Sequence, residues 1–281
     1  MGGRMGGRQP AVPCGPPLSE REFQLFRDLL FRVAGIHLSD AKRALVAGRL
    51  ARRLRDHGWD SYAAYFQHLQ DHHAELQTAV DLLTTNETYF FREPRHFDFL
   101  RDTILPPLRE RGPVRVWSAA CSSGEEPYSI AMTLAQTLGQ QPWEVLASDL
   151  STRMLDQARA ATYRSAAFDA IPSELRRQYC LRGVGCHEGT SIIDPALRER
   201  VSFRHINLNA RLPVLGEFDV IFLRNVLIYF PHETKVGVVR RLQAQLRPGG
   251  WLIVSHSESL NRVSPQLELV QPSIYRKLGA A

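Results

Sequence analysis

The 281-residue sequence has no apolar run long enough to cross a bilayer and no secretory leader, so a soluble, cytoplasmic protein is expected. Cysteine is scarce. Cys14, Cys121, Cys180 and Cys186 include no CxxC pair, which argues against a zinc site and for a reduced intracellular chain. A Cys180–Cys186 bridge would stand alone, and with no second ligand pair beside it no metal site is expected. The dinucleotide fingerprint GxGxxG does not open the central strand–loop–helix stretch. What is present is ordinary for a globular protein: 44% hydrophobic and 23% charged residues, enough chain for a substantial core. The net charge of +6 fits either a nucleic acid or an acidic protein as partner, and charge does not choose between them.

Composition divides the chain. Residues 1–17 are Gly/Pro-rich with a near repeat of MGGR, and too poor in apolar residues to offset ordering entropy; a disordered tail is expected. A small helical domain is predicted over 18–83. It opens with a Ser19-x-x-Glu22 capping box and the stripe Phe23, Phe26, Leu30 and Val33, ending at Gly35. Its second helix, predicted from about Ser39 to His57, places Val46, Leu50 and Leu54 on one face. Lys42, Arg49 and Arg53, with Arg52 and Arg55 beside them, line the other, with no acid before Asp56. That row reads either as a solvated face or as a docking surface for something acidic. Helices from about Asp60 and from Ala74 to Leu83 complete the domain. Residues 84–112 read as a polar–aromatic linker, fitting an inter-domain plug or a substrate cleft, and a lead-in helix bracketed by Pro94 and Pro106-Pro107.

From 113 to 281 strands and helices alternate. Val114–Ser118 reads as a buried strand, Ala119–Gly124 as a small-residue loop, and Ile130, Leu134 and Leu138 as a helix with Pro127 in its first turn. This order builds a nucleotide-binding corner. The Glu125-Glu126 pair would repel a pyrophosphate but suits a cationic nucleotide, and S-adenosylmethionine is the obvious one. A second strand, Trp143–Ser148, ends at Asp149, which suits either a helix cap or the ribose hydroxyls of a nucleoside. A helix over Ser151–Ala161 follows. An insertion at about 164–200 reads as a small antiparallel β-subdomain, with a hairpin of Gln178–Leu181 and Thr190–Ile193; it would cap the pocket or offer a strand edge to a peptide. Strands at Val201–Asn207, Phe218–Leu223 and Trp251–Ser255 are predicted, with a helix from His232 to Leu246 and a terminal hairpin at Leu267–Val270 and Ile274–Lys277. The fold class is α/β: a helical domain followed by a class I methyltransferase doubly wound sheet.

The ordered set of motifs resembles the CheR-type chemotaxis receptor methyltransferases. It comprises Thr85-Asn86 through Phe90-Phe91-Arg92, Val116–Ala120 through Gly124–Ser129, and Ala147-Ser148-Asp149. Asn207-Leu208, Arg224-Asn225-Val226 through Ile228-Tyr229-Phe230, and His256-Ser257-Glu258 complete it, with Gly35-Ile36 and Arg49-Leu50-x-Arg52-Arg53-Leu54 in the helical domain. The resemblance implies methyl transfer from S-adenosylmethionine to glutamates on the cytoplasmic helices of chemoreceptors, giving methyl esters. It implies cofactor contacts at Asn86, Thr88, Arg92, Glu126, Asp149, Asn207, Leu208, Arg224 and Asn225, with Arg92 and Tyr229 flanking the methyl. It further implies receptor docking through Lys42, Arg49, Arg52 and Arg53, and a receptor C-terminal peptide at the Gly183, Gly185, Gly189 loop, where Cys186 stands in place of an expected proline. A monomer is expected, with neither nucleic acid nor membrane insertion.

The chemistry suits the residues. A glutamate of ordinary pKa, about 4.3, is already ionised at neutral pH and needs no general base, so none of the ten histidines has a required role. Two rivals stand beside this reading. A nucleic-acid methyltransferase would usually need a base-binding aromatic pocket or a proton acceptor near the methyl, and no Asn-Pro-Pro-aromatic or Asp-Pro-Pro-aromatic motif is present; against a non-catalytic module stand the intact Arg92, Asp149 and Tyr229.

Overall fold

A strand buried on both faces reads as an unbroken apolar run, and Phe218–Leu223 is buried at every position. In the computed structural model it is the central strand of a seven-stranded sheet. The structure describes residues 16–261 and 263–279. The tail expected over residues 1–17 therefore lies, apart from Pro16 and Pro17, outside the described residues, as does Cys14.

The strands are β1 (Val114–Ser118), β2 (Trp143–Asp149), β3 (Thr162–Arg164), β4 (Cys180–Arg182), β5 (Thr190–Ile193), β6 (Val201–His205), β7 (Phe218–Leu223), β8 (Leu246–Val254), β9 (Leu267–Gln271) and β10 (Ile274–Lys277). The helices are α1 (Glu20–Ala34), α2 (Arg43–Asp56), α3 (Tyr62–Asp71), α4 (His73–Leu83), α5 (Arg95–Phe99), α6 (Leu105–Leu108), α7 (Glu125–Leu138), α8 (Thr152–Ala160), α9 (Ser173–Tyr179), α10 (Pro195–Arg198) and α11 (His232–Ala244). Two units emerge: Met1–Phe31 with Leu38–Leu83, and Arg32–His37 with Thr84–Ala281.

In the larger unit the order is β6-β2-β1-β7-β8-β10-β9, parallel from β6 to β8 and antiparallel across β10 and β9. Side chains alternate between two cores. Val116, Val220, Phe222 and Ile253 pack on one face with Ile130 and Leu134 of α7; Trp117, Ile221, Leu223 and Leu252 pack on the other with Val238 and Leu242 of α11. All the parallel strands thus point their carboxyl ends the same way, and ligands bind at that rim in such sheets.

Several boundaries differ from expectation. The insertion holds three strands, β3-β5-β4, because Thr162–Arg164 pairs with Thr190–Ile192; Gln178 belongs to α9, not to the hairpin. Pro106 and Pro107 do not close the lead-in helix from outside. They fall in the first turn of α6, after a π-helical turn at Leu100–Ile104 shifts the hydrogen-bond register. The helix expected to reach Leu246 stops at Ala244, and β8 starts at Leu246 with a register shift against β7. β6 ends at His205, two residues before the expected Asn207. Cys121, Cys180 and Cys186 are all free thiols.

In the smaller unit, Ser19 donates to the Glu22 carboxylate through its amide (2.9 Å) and hydroxyl (2.6 Å), and Glu22 returns an amide bond to Ser19 Oγ at 3.3 Å. Val46, Leu50 and Leu54 of α2 are buried as the periodicity predicts, after a short 3-10 turn at Asp40–Lys42. The cationic face is not free of acids. Glu75 of α4 accepts from Arg53 Nε at 2.7 Å and from the Tyr65 hydroxyl at 2.7 Å, and these bonds hold its pKa below the ordinary glutamate value. Arg49 donates to the Leu83 carbonyl at 2.9 Å. Arg53 and Arg49 are thereby engaged with other elements of the unit, whereas Lys42 is exposed and the Arg52 side chain, 3.4 Å from Asp56 of its own helix, is 84% exposed.

The two outward and two engaged cations separate experimentally. Arg53→Glu, which sets a second carboxylate against Glu75, is expected to cost about 1–3 kcal/mol and lower the melting temperature by several degrees. Arg52→Glu should leave it within a degree or so. Thermal denaturation of the two variants checks this.

Candidate active site

The loop after β1 is shaped by two residues of positive φ, Ser122 (48°) and Gly124 (101°). Gly124 is required there: a Cβ would meet the Tyr163 hydroxyl at 2.8 Å and Ala158 Cβ at 2.9 Å. The loop is tied to its neighbours by side chains. Asp149, at the end of β2, accepts from the Ser122 amide at 2.8 Å and the Ser151 amide at 2.9 Å. Ser151, not Asp149, caps α8, its hydroxyl accepting from the Met154 amide. Ser122 Oγ donates to the Asn86 carbonyl at 3.0 Å, which brings the 84–94 segment against the loop.

The two acids that open α7 have different tasks. Glu125 is buried and turned back onto its own loop, accepting from Ser123 Oγ at 2.7 Å; burial raises its pKa against that bond. Glu126 accepts from Ser118 Oγ at 2.7 Å and from Arg224 Nη1 at 2.8 Å, and its side chain keeps 12% exposure. Arg224, at the end of β7, has a side chain only 1% exposed. Its other terminal nitrogen donates to the Arg92 carbonyl and lies 3.3 Å from Glu93 Oε2, and its guanidinium sits over Phe97 at 5.8 Å.

Arg92 is held from both directions. Its neighbours Phe91 (φ 52°) and Glu93 (φ 57°) occupy the left-handed region, a costly conformation for such residues. The Phe91 amide donates to Ser129 Oγ at 2.9 Å, while Arg92 Nη1 donates to the Glu87 carbonyl at 2.8 Å and the guanidinium lies 5.6 Å from the Tyr89 ring centre. Tyr229 follows the loop after β7, and its carbonyl accepts from the His37 amide at 2.9 Å.

The structure therefore joins Asn86 to Asp149 through Ser122, and Arg92 to Glu126 through Arg224. Asn225 is nearby: its side chain donates to Ser255 Oγ at 2.8 Å, and Ser255 donates to Glu93 at 2.7 Å. Thr88 lies in the irregular 84–94 segment. Asn207 uses its side chain locally, donating to the Val33 carbonyl at 2.6 Å and accepting from the Asn209 amide at 2.9 Å. Leu208 is buried, and its carbonyl accepts from Arg241. A cavity of about 400 Å³ takes up the aromatic part of the linker, lined by Tyr89, Phe90, Phe91, Phe97, Thr133 and Leu175 among others, apart from Arg92 and Tyr229.

Sequence reading left Glu93, His96, Ser255 and Ser273 without roles and gave His256 and Glu258 only a place in a motif. Glu93, His96 and His256 bring three donor atoms within 4.8 Å of one another. Arg224 already supplies a cation beside Glu93. His96 is neutral: burial, helped by the charge of Arg224, pushes its pKa down to about 3, and its Nε2 lies 2.7 Å from Ser273 Oγ. Burial would raise the pKa of Glu93, but the Ser255 bond and the Arg224 charge outweigh it and hold it low. Glu258, 7% exposed, is pushed up by burial against four opposing backbone bonds. The signal available was position, since Ser255–Glu258 follows the carboxyl end of β8 as the other site residues follow theirs.

A cofactor can be tested against this donor set. Two carboxylates, Glu93 and Glu126, face one guanidinium, and Asp149 adds a further acid at the next strand end. The surplus is negative. It fits a ligand with ammonium and sulfonium charges and ribose hydroxyls, and it opposes a pyrophosphate. In the peptide-loop region, a Cβ on Gly183 would lie 2.2 Å from the His187 carbonyl oxygen, and Gly185 and Gly189 have φ of 61° and 84°; turn geometry alone requires these glycines.

The sequence is similar to known proteins. Residues 21–84 match the CheR methyltransferase all-alpha domain, and residues 86–275 match the CheR methyltransferase S-adenosylmethionine-binding domain. Chemotaxis protein methyltransferase 2 of Pseudomonas aeruginosa is 42% identical, the match covering 92% of this chain and 93% of that protein. The chemotaxis protein methyltransferase of Escherichia coli is also 42% identical, over 94% of this chain and 97% of that one. With both domains matched in order along nearly all the described chain, the protein belongs to the CheR methyltransferase family.

Proposed function

We propose that the protein is an S-adenosylmethionine-dependent protein-glutamate O-methyltransferase, acting as a cytoplasmic monomer on the glutamates of chemoreceptor signalling domains to form methyl esters. The observation that carries the site assignment is Arg92, whose backbone is pinned by buried Arg224 beside Glu126, while its guanidinium is held by the Glu87 carbonyl and the Tyr89 ring.

Glu126 and Asp149 receive the charged and hydroxylated ends of the cofactor. Asn86, Thr88, Asn207, Leu208 and Asn225 line its path, the side chains of Asn207 and Asn225 being bonded to other residues as well. Arg224 serves from behind through Glu126 and Arg92. When bound, S-adenosylmethionine supplies an electrophilic methyl whose C–S electron pair leaves with sulfur as the new C–O bond forms. Arg92 grips the incoming carboxylate with its planar fork, and Tyr229 donates one hydrogen bond that fixes its direction. No general base is needed, because the attacking oxygen carries its charge beforehand, so positioning and exclusion of water do the catalytic part. One arginine and one neutral donor align the anion without overstabilising it.

Recognition of the receptor falls to the outward cations Lys42 and Arg52, with Arg49 and Arg53 shaping the same helix from within. In the inserted subdomain β4 is an edge strand, paired only with β5, and its open side suits an extended receptor C-terminal peptide. No helix of the described residues is long and apolar enough to cross a membrane.

Arg92→Ala and Tyr229→Phe should each lower turnover by about 10²-fold while changing cofactor affinity by less than about threefold. Titration calorimetry beside a methyl-transfer assay checks this, and equal losses in both would make these residues cofactor ligands. The label passed from radiolabelled cofactor to a receptor fragment should be released by mild alkali, as an ester is; alkali-stable label would mean another acceptor. Lys42→Glu with Arg52→Glu should slow receptor methylation several-fold at unchanged cofactor affinity, and the wild-type rate should fall with added salt. A rate indifferent to salt would remove electrostatic docking.

A further inference from the structure

The motif His256-Ser257-Glu258 has no step in methyl transfer, yet it contains a carboxylate that accepts four backbone hydrogen bonds. Glu258 Oε1 accepts from the Leu227 amide at 2.7 Å and the Ile228 amide at 3.3 Å; Oε2 accepts from the Asn225 amide at 3.0 Å and the Ser255 amide at 2.9 Å. An ionised carboxylate is acceptor-only, with about four lone-pair positions, and here each faces a backbone N–H. Three of the four donors belong to the loop between β7 and Tyr229. That loop starts from Asn225 in the left-handed region, φ 57°, a turn that Asn tolerates and other residues resist. The Asn225 side chain is bonded to Ser255, so both ends of the loop's first residue are tied to the strand end that bears Glu258.

Tyr229 stands immediately after these amides, and its own amide donates to the Val226 carbonyl at 3.2 Å, inside the same loop. One buried acid therefore holds three of the amides on the loop's path, and with them the origin of the Tyr229 side chain. We propose that Glu258 is a positioning residue for methyl transfer, holding the 225–228 loop so that Tyr229 is presented to the reacting carboxylate. This rests on the role given above to Tyr229. The alternative is a pin that matters to folding alone, and the two differ in what substitution does.

Glu258→Gln keeps the shape but sets an NH₂ against two backbone N–H groups, so the loop must shift. Glu258→Asp keeps the charge and withdraws it by about 1.5 Å, one carbon–carbon bond. The test is steady-state methylation of a receptor cytoplasmic fragment by the full chain, well below each variant's melting temperature. Glu258→Gln should lower kcat by about tenfold or more, with the receptor KM within about threefold of wild type. Glu258→Asp, offered in case the Gln variant does not fold, should show a smaller loss of the same kind. In a Tyr229→Phe background either change should cost less than about twofold, because the group being positioned is already absent. Undiminished kcat, or a loss that multiplies fully with that of Tyr229→Phe, would overturn the proposal and leave Glu258 as a folding pin. If Tyr229→Phe alone has full turnover, the role of Tyr229 falls first; if it is slow while the Glu258 variants are not, only this inference falls.

Discussion

The buried guanidinium of Arg224 is the contact on which the rest of the site depends. A cation removed from water is costly unless paired, and Arg224 is paired with two carboxylates and a carbonyl from two chain segments. It joins the end of β7 to the first turn of α7 and to the segment bearing Arg92. Those segments lie far apart in sequence, 98 residues for Glu126 and 132 for Arg92, so one side chain brings them into register. The same pairing leaves a surplus of negative charge, because Glu93 is held ionised while His96 is kept neutral. A single buried arginine thus accounts both for the shape of the site and for its preference for a cationic ligand.

The strained backbone fits the same account. Phe91, Glu93, Ser122 and Asn225 all have positive φ without being glycine, and all lie in the segments around Arg224. Such conformations persist only where the surroundings overdetermine them. Here three of the four are fixed by Ser129 on the Phe91 amide, Asp149 on the Ser122 amide and Glu258 on the Asn225 amide. In each case a side chain from a strand end or a helix start satisfies the backbone of a strained residue. Rigid elements therefore hold the loops, and the loops hold the reacting groups.

Much of this was legible in the sequence because it is local. The strand–loop–helix at Val114–Leu138, the continuous apolar run of β7 and the capping box at Ser19 each depend on residues within a turn or a strand of one another. The acidic pair at Glu125-Glu126 was legible as charge, but the division of labour between its members was not, since Arg224 is reached by only one of them. The row of cations on α2 misleads for the same reason. Its acid, Glu75, is 22 residues from Arg53, and helical periodicity cannot reveal a partner on another helix. The β3 strand was missed because three residues are too few to carry a signal until β5 pairs with them.

That distinction between local and distant cause also separates recognition from catalysis. A cofactor site can be read from a short stretch, because a loop between a strand and a helix supplies most of what a nucleoside needs. In the proposed reaction, transfer to a second protein demands that two groups from separate segments of the domain, Arg92 and Tyr229, meet one carboxylate. The loops carrying these groups are fixed by acids at the ends of other elements: Glu126 acts through Arg224 on the first, and Glu258 acts through backbone amides on the second. One acid of the cofactor site and one that touches no reactant thus decide where the reacting groups stand. The methyl acceptor is itself a carboxylate, and an exposed acid beside it would compete for Arg92. Burying Glu258 at 7% exposure and giving its lone pairs to backbone donors keeps it out of that competition. An enzyme whose substrate is a carboxylate can use carboxylates as structural ties only where, as here, their hydrogen-bonding capacity is already taken.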